Sequence, residues 1–86
     1  MTTNPDLKIE GNFFDVKTPI RSNVRSFVAN NIVKKINQSG GRFVVPLHHS
    51  TFSLDDLTKQ LKDFPVPGLK QVIVIMKDDT IAKVSL

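Results

Sequence analysis

The stretch Val72-Ile73-Val74-Ile75-Met76 is the longest unbroken apolar run in the chain, and no other feature constrains the fold as strongly. It is far short of the roughly 20 apolar residues that a membrane helix needs. It has the length of a buried strand, in which successive side chains point to opposite faces. Val72, Val74 and Met76 then need cover on one face, and Ile73 and Ile75 on the other. Phe43, Val44 and Val45 alternate in the same manner. Helices can cover only one face of a two-layer sheet. The second face needs either the N-terminal strand with Phe13 and Phe14 folding over it, or the sheet of a second chain.

Size sharpens that requirement. The chain has 86 residues and no cysteine, so it has no disulfide, no thiolate zinc site and no thiol nucleophile. A chain this short is one domain with a modest core, held by packing alone or by pairing with another chain. Twofold dimers are the commonest oligomers, and a homodimer is expected. Residues 1–6 are expected to form a flexible tail and residues 7–86 a single domain. The opening Met1-Thr2-Thr3-Asn4-Pro5-Asp6 lacks the cationic and apolar regions of a secretory signal, so a cytoplasmic protein is expected.

Local patterns give the elements. Leu7 and Ile9, then Phe13, Phe14 and Val16, flank Gly11-Asn12, which predicts a bent strand or a small hairpin. Pro19, with Ser22 or Asn23 as cap, predicts a helix running to Gln38, ended by Gly40-Gly41. Its apolar residues do not share one stripe: Ile20, Val24 and Phe27 lie apart from Ile32, Val33 and Ile36. Either this helix is kinked near Asn30-Asn31 or it is covered on more than one side. Arg42–Leu47 reads as a strand. Ser53 caps a second helix, with Asp56 three residues on and Phe52 and Leu57 placed as a hydrophobic staple. Leu69–Met76 and Ile81–Leu86 read as a hairpin across Lys77-Asp78-Asp79-Thr80.

The fold class is therefore α/β (α+β), a two-layer sandwich of β-α-β-α-β-β order with a mixed sheet and a C-terminal β-hairpin. In element order it resembles the Alba chromatin proteins, the C-terminal domain of bacterial translation initiation factor three, and the TusA-type sulfur carriers. The resemblance is topological. The Gly-Lys context of the Alba proteins is missing after the first strand, and the Cys-Pro of the sulfur carriers is impossible without cysteine.

Charge points to partners. Of the net charge of +4, all belongs to residues 1–43, which hold seven Lys/Arg and three Asp/Glu; residues 44–86 hold five of each. Lys17, Arg21, Arg25, Lys34, Lys35 and Arg42 fall in a stretch with no acid. Lys17, Arg21 and Arg25 gather at the start of the first helix, and Arg21 and Arg25, four apart, are expected to share one side of it. These six residues are the candidate nucleic-acid or anion contacts, made to the phosphate backbone and sensitive to salt. A solvated basic face explains the same pattern.

Catalytic signals are weak. His48 and His49 are neighbours in an extended segment and point apart, so they do not chelate one metal. No orienting acid stands near them in sequence, Asp55-Asp56 is helix-start chemistry, and Asp78-Asp79 is turn chemistry. The sequence thus predicts a small non-enzymatic binding protein, with no cofactor and no metal, contacting DNA, RNA or another polyanion through its basic first helix. The alternative is a protein-interaction or inhibitory module. It would work through Val24 and Phe27, through the sheet face carrying Ile73 and Ile75, or through the last strand as an open edge.

Overall fold

The computed structural model describes residues 6–9, 11–84 and 86, and the expected tail of residues 1–6 lies outside them except for Asp6. Strands β1 (Asp6–Ile9) and β2 (Asn12–Val16) form the N-terminal hairpin, turning at Gly11, whose φ is +84°. A helical stretch follows: α1 (Val24–Phe27), a π-helical segment (Val28–Ile32), a 3₁₀ turn (Val33–Lys35) and α2 (Ile36–Ser39). Next come β3 (Arg42–Pro46), α3 (Leu54–Asp63), β4 (Gln71–Ile75) and β5 (Ile81–Lys83).

The five strands form one sheet in chain order, β1-β2-β3-β4-β5. Both end pairs are antiparallel, while β2, β3 and β4 run parallel, so the sheet is mixed as expected. The two helical crossovers cover the same face. Phe27, Val28 and Ile32 from the first and Leu57 and Leu61 from α3 share one core with Phe43, Val45, Val72 and Val74.

The drifting stripe of the first helix has a local cause. Val28-Ala29-Asn30-Asn31-Ile32 is rich in β-branched and Asn residues, which hold an α-helix poorly. In π geometry the hydrogen bonds run from i to i+5, a wider turn that brings residues four and five apart to one side. Phe27 and Ile32 are five apart, and with Val28 all three reach the core, while Val33 turns outward. The kink anticipated near Asn30-Asn31 is this segment.

Capping sets the other boundaries. The Asn23 side chain accepts from the Ser26 backbone N–H at 2.7 Å, so α1 begins one residue later, not at Pro19. Gly40, left-handed at φ +66°, closes α2. At α3, the Ser53 N–H donates to Asp56 Oδ2 and the Asp56 N–H to Ser53 Oγ, a reciprocal capping box.

The second face of the sheet is closed within the chain itself. Phe14, Val44 and Ile73 are buried there, with Ile9, Val16 and Ile75 packed against them. The N-terminal hairpin does not fold over this face as expected: it pairs at the sheet's edge, where Phe14 joins the buried residues of the face and Phe13 is exposed. The need that motivated a homodimer is thereby met, and nothing in the fold supports one. Two expected interface residues are also internal: Phe27 is 1% exposed and Ile73 5% exposed. Val24 and Ile75 are half-buried against the two cores.

Candidate functional site

The register of β2 against β3 places its charged residues. Asp15 lies opposite Phe43 and Val16 opposite Val44. Partnered residues share a face of the sheet, so Asp15 stands on the helix-bearing face and Val16 on the other. Lys17, two residues on, returns to the face of Asp15, and its N–H donates to the Val44 carbonyl at 2.9 Å, prolonging the parallel ladder. Lys17 Nζ and Asp15 Oδ2 are 3.4 Å apart, with the side chains only 11% and 14% exposed.

Such a pair needs a reason. Lys and Asp side chains are almost never buried unless paired. Even when paired, the loss of hydration offsets much of their attraction, so the pair adds little to stability. An ammonium and a carboxylate at the margin of a helix-covered sheet are equipped instead for polar chemistry. The carboxylate can accept a proton or hold a cation, and the ammonium can stabilise a developing negative charge. Asp6 is the register partner of Asp15 across the hairpin. Among the described residues, no three His, Cys, Asp or Glu side chains gather closely enough to hold a metal ion.

Topology assembles the surroundings. The carboxyl ends of β2, β3 and β4 share one rim of the sheet, where ligands of open α/β sheets bind. Lys17, the 47–51 loop, the N-terminus of α3 and the β4–β5 turn meet there. Thr51 Oγ1 donates to the Ser22 carbonyl at 2.8 Å, tying the 47–51 loop to the approach of α1. Ser50 is buried, its hydroxyl donating to the Phe52 carbonyl at 2.6 Å, which makes it a structural residue of the loop. His48 Nε2 lies 2.7 Å from Asp79 Oδ1. An acid does therefore stand beside His48, supplied from 31 positions away and invisible in the local sequence. His49 is exposed.

The six basic residues do not form one surface. Lys17 is engaged with Asp15. Arg21 lies before the helix in a left-handed conformation, φ +52°, so it does not share a helix side with Arg25. Arg25 lies along a groove between Val28, Ala29, Val33 and the end of α3 at Phe64. Lys34 and Lys35 occupy the second half of the helical stretch, and Arg42, next to Phe43 on β3, lies on the opposite face of the sheet from Lys17.

Sequence reasoning took Lys17 as a member of that basic cluster and passed over Asp15. The signal was present in the strand itself. Phe14 and Val16 form the apolar side of an alternating strand, and Asp15 and Lys17 place two opposite charges on the side that faces the helices.

Comparison with known proteins adds chemistry to this geometry. Residues 3–81 match the family described as the contact-dependent growth inhibition CdiA C-terminal domain. The chain is 39% identical over 75 residues to the tRNA nuclease CdiA-2 of Burkholderia pseudomallei (strain 1026b). That match spans 86% of this chain and 2% of the relative, so the chain corresponds to a small part of that protein. Among solved structures, the CdiA-CT/CdiI toxin and immunity complex from Burkholderia pseudomallei superposes with a TM-score of 0.77 at 31% identity. The match covers 96% of this chain and 69% of that one. These matches overturn two expectations, that the chain is a non-enzymatic polyanion binder and that it is not an enzyme. The curated relative is named as a nuclease, a catalyst acting on RNA.

Proposed function

Because this chain belongs to the contact-dependent growth inhibition CdiA C-terminal domain family, we propose that it is a toxin domain that cleaves tRNA, with Asp15 and Lys17 at its active centre. The observation that carries this reading is the nearly buried Asp15–Lys17 pair. Breaking a phosphodiester bond requires a proton to leave the attacking oxygen and negative charge to accumulate on the phosphoryl oxygens. Asp15 takes the proton of the attacking oxygen as its bond to phosphorus forms, Lys17 stabilises the charge on the phosphoryl oxygens, and the P–O bond to the leaving oxygen breaks as that oxygen takes a proton from water. The pair sits where water is partly excluded, which strengthens both effects. Arg21, on the loop between β2 and α1, contributes a backbone contact that positions the RNA without reading its sequence.

A protein partner belongs to the same reading. The solved relative is a toxin and immunity complex, and a cognate immunity protein is the partner proposed for this chain. A nuclease acting inside the cell that makes it needs such an inhibitor, and its basic first half suits an acidic one.

The test is to produce the chain in bacteria under tight control and follow the tRNA pool on a denaturing gel. The proposal expects tRNA fragments to accumulate with the parent chain and not with Asp15→Asn. An intact pool beside soluble, folded parent chain contradicts it.

A further inference from the structure

A cavity of about 540 Å³ opens at the carboxyl ends of β3 and β4, and the pair on β2 makes no use of it. Its apolar lining comes from Leu47, Phe52, Leu54 and Met76. Lys77, Asp78 and Thr80 of the β4–β5 turn form one side, and the 51–56 segment forms the other. The His48–Asp79 contact at 2.7 Å holds the turn to the end of β3. A cavity of this volume is in the usual range for small ligands.

We propose that this cavity receives an unpaired nucleobase of the RNA, whose exocyclic amino group is accepted by the Asp78 carboxylate. The ligand's identity rests on the nuclease reading above; its binding can be measured apart from cleavage. Three observations favour a base over a phosphate. The capping box already uses the Ser53 and Asp56 backbone N–H groups, so those donors of the α3 N-terminus are taken. Asp56 and Asp78 both line the cavity and repel an anion, whereas a flat neutral ring finds apolar walls. Asp78 is also held in place, since Oδ1 accepts from the Thr80 hydroxyl at 2.6 Å and the Thr80 N–H at 3.1 Å. Those bonds hold its carboxyl below the ordinary range, so at neutral pH it only accepts. Lys77 is placed to meet the phosphate that follows the inserted base.

The experiment titrates the 86-residue chain with cytidine, uridine, adenosine and guanosine 3′-monophosphates, which carry the phosphate that follows the base, and follows backbone amide resonances. Shifts should centre on residues 51–56 and 76–80. Cytidine monophosphate should bind at least fivefold more tightly than uridine monophosphate, which lacks the amino group. Leu54→Trp, which fills the cavity, should weaken cytidine binding at least tenfold. Asp78→Asn, at an exposed position that tolerates change, should reduce the cytidine preference to less than twofold. Shifts elsewhere, or equal binding of cytidine and uridine by the parent, overturn the proposal whether or not the chain cleaves tRNA. Failure of the nuclease reading appears separately, as intact tRNA.

Discussion

Lys17 and Asp15, two residues apart on β2, meet at 3.4 Å with both side chains largely withdrawn from solvent. Register against β3 sets the placement, because pairing Asp15 with Phe43 turns it and Lys17 toward the helices. A slip of one residue would move both charges to the face of Val44 and Ile73 and turn Phe14 toward the helices.

The pair should show strong thermodynamic coupling. Asp15→Asn and Lys17→Met each leave one charge without its partner and should cost about 1–3 kcal/mol. The double variant should cost less than the sum, with a coupling energy of about 0.5–3 kcal/mol in denaturant titrations. Additive losses would mean that the two groups do not interact in solution.

The π segment predicts an asymmetry between neighbours. Ile32 is fully buried, and Ile32→Ala should cost about 2–5 kcal/mol. Val33 is 47% exposed, and Val33→Ala should stay within about 0.5 kcal/mol. Comparable losses in thermal melts would show that Val33, like Ile32, packs inward in solution.

Gly41 joins the end of the first crossover to the start of β4. Its carbonyl accepts the Lys70 and Gln71 N–H groups at 2.8 and 3.1 Å, and its φ is +84°. A Cβ there would collide with the Gly68 carbonyl oxygen. Gly41→Ala should destabilise by about 3 kcal/mol or more, combining the strained conformation with that collision. Gly11 has the same φ and open space around it, so Gly11→Ala should cost only about 1 kcal/mol. Chemical denaturation of the two variants separates the contributions.

Asp78 carries a small acid sensitivity with a definite sign. Hydrogen bonds from the Thr80 hydroxyl and backbone lower its pKa below the ordinary 3.8. A carboxyl depressed in the folded state stabilises above its unfolded pKa, and that stability is lost as pH falls through the folded value. Thr80→Val should remove part of the stability difference between pH 5 and pH 2 and leave the remainder of the acid profile unchanged. An unaltered difference would show that the turn does not hold this carboxylate in solution.

These elements differ in how openly the sequence displays them. The boundaries of α3 are written in Ser53, Asp56, Phe52 and Leu57, because capping and stapling are contacts within a few residues. The apolar alternation of β3 and β4 is equally local and led to the mixed sheet. The self-closure of the second face was harder to see, since it depends on how the N-terminal hairpin pairs and not on the run 72–76 itself. The phase of residues 24–39 was legible only as a conflict between two stripes. The fold resolves it with a π turn, for which the residues carry only weak propensities. The site was the least legible part. Arg21 and Arg25 share a helix side only if the helix starts at Pro19; Asn23, one of the two expected caps, leaves Arg21 outside α1. His48 finds Asp79 across 31 positions. Asp15 and Lys17 gain their meaning from Phe43, a neighbour that sheet register alone supplies.

The most direct test of the account is single-turnover cleavage of a purified tRNA by the parent chain, Asp15→Asn and Lys17→Met, each shown to be folded by circular dichroism. The account predicts cleavage by the parent and a loss of at least about 100-fold in rate for each variant, consistent with removal of a proton-transfer or charge-stabilising group. Parental rates in folded Asp15→Asn would contradict it and move the chemistry to another part of the molecule.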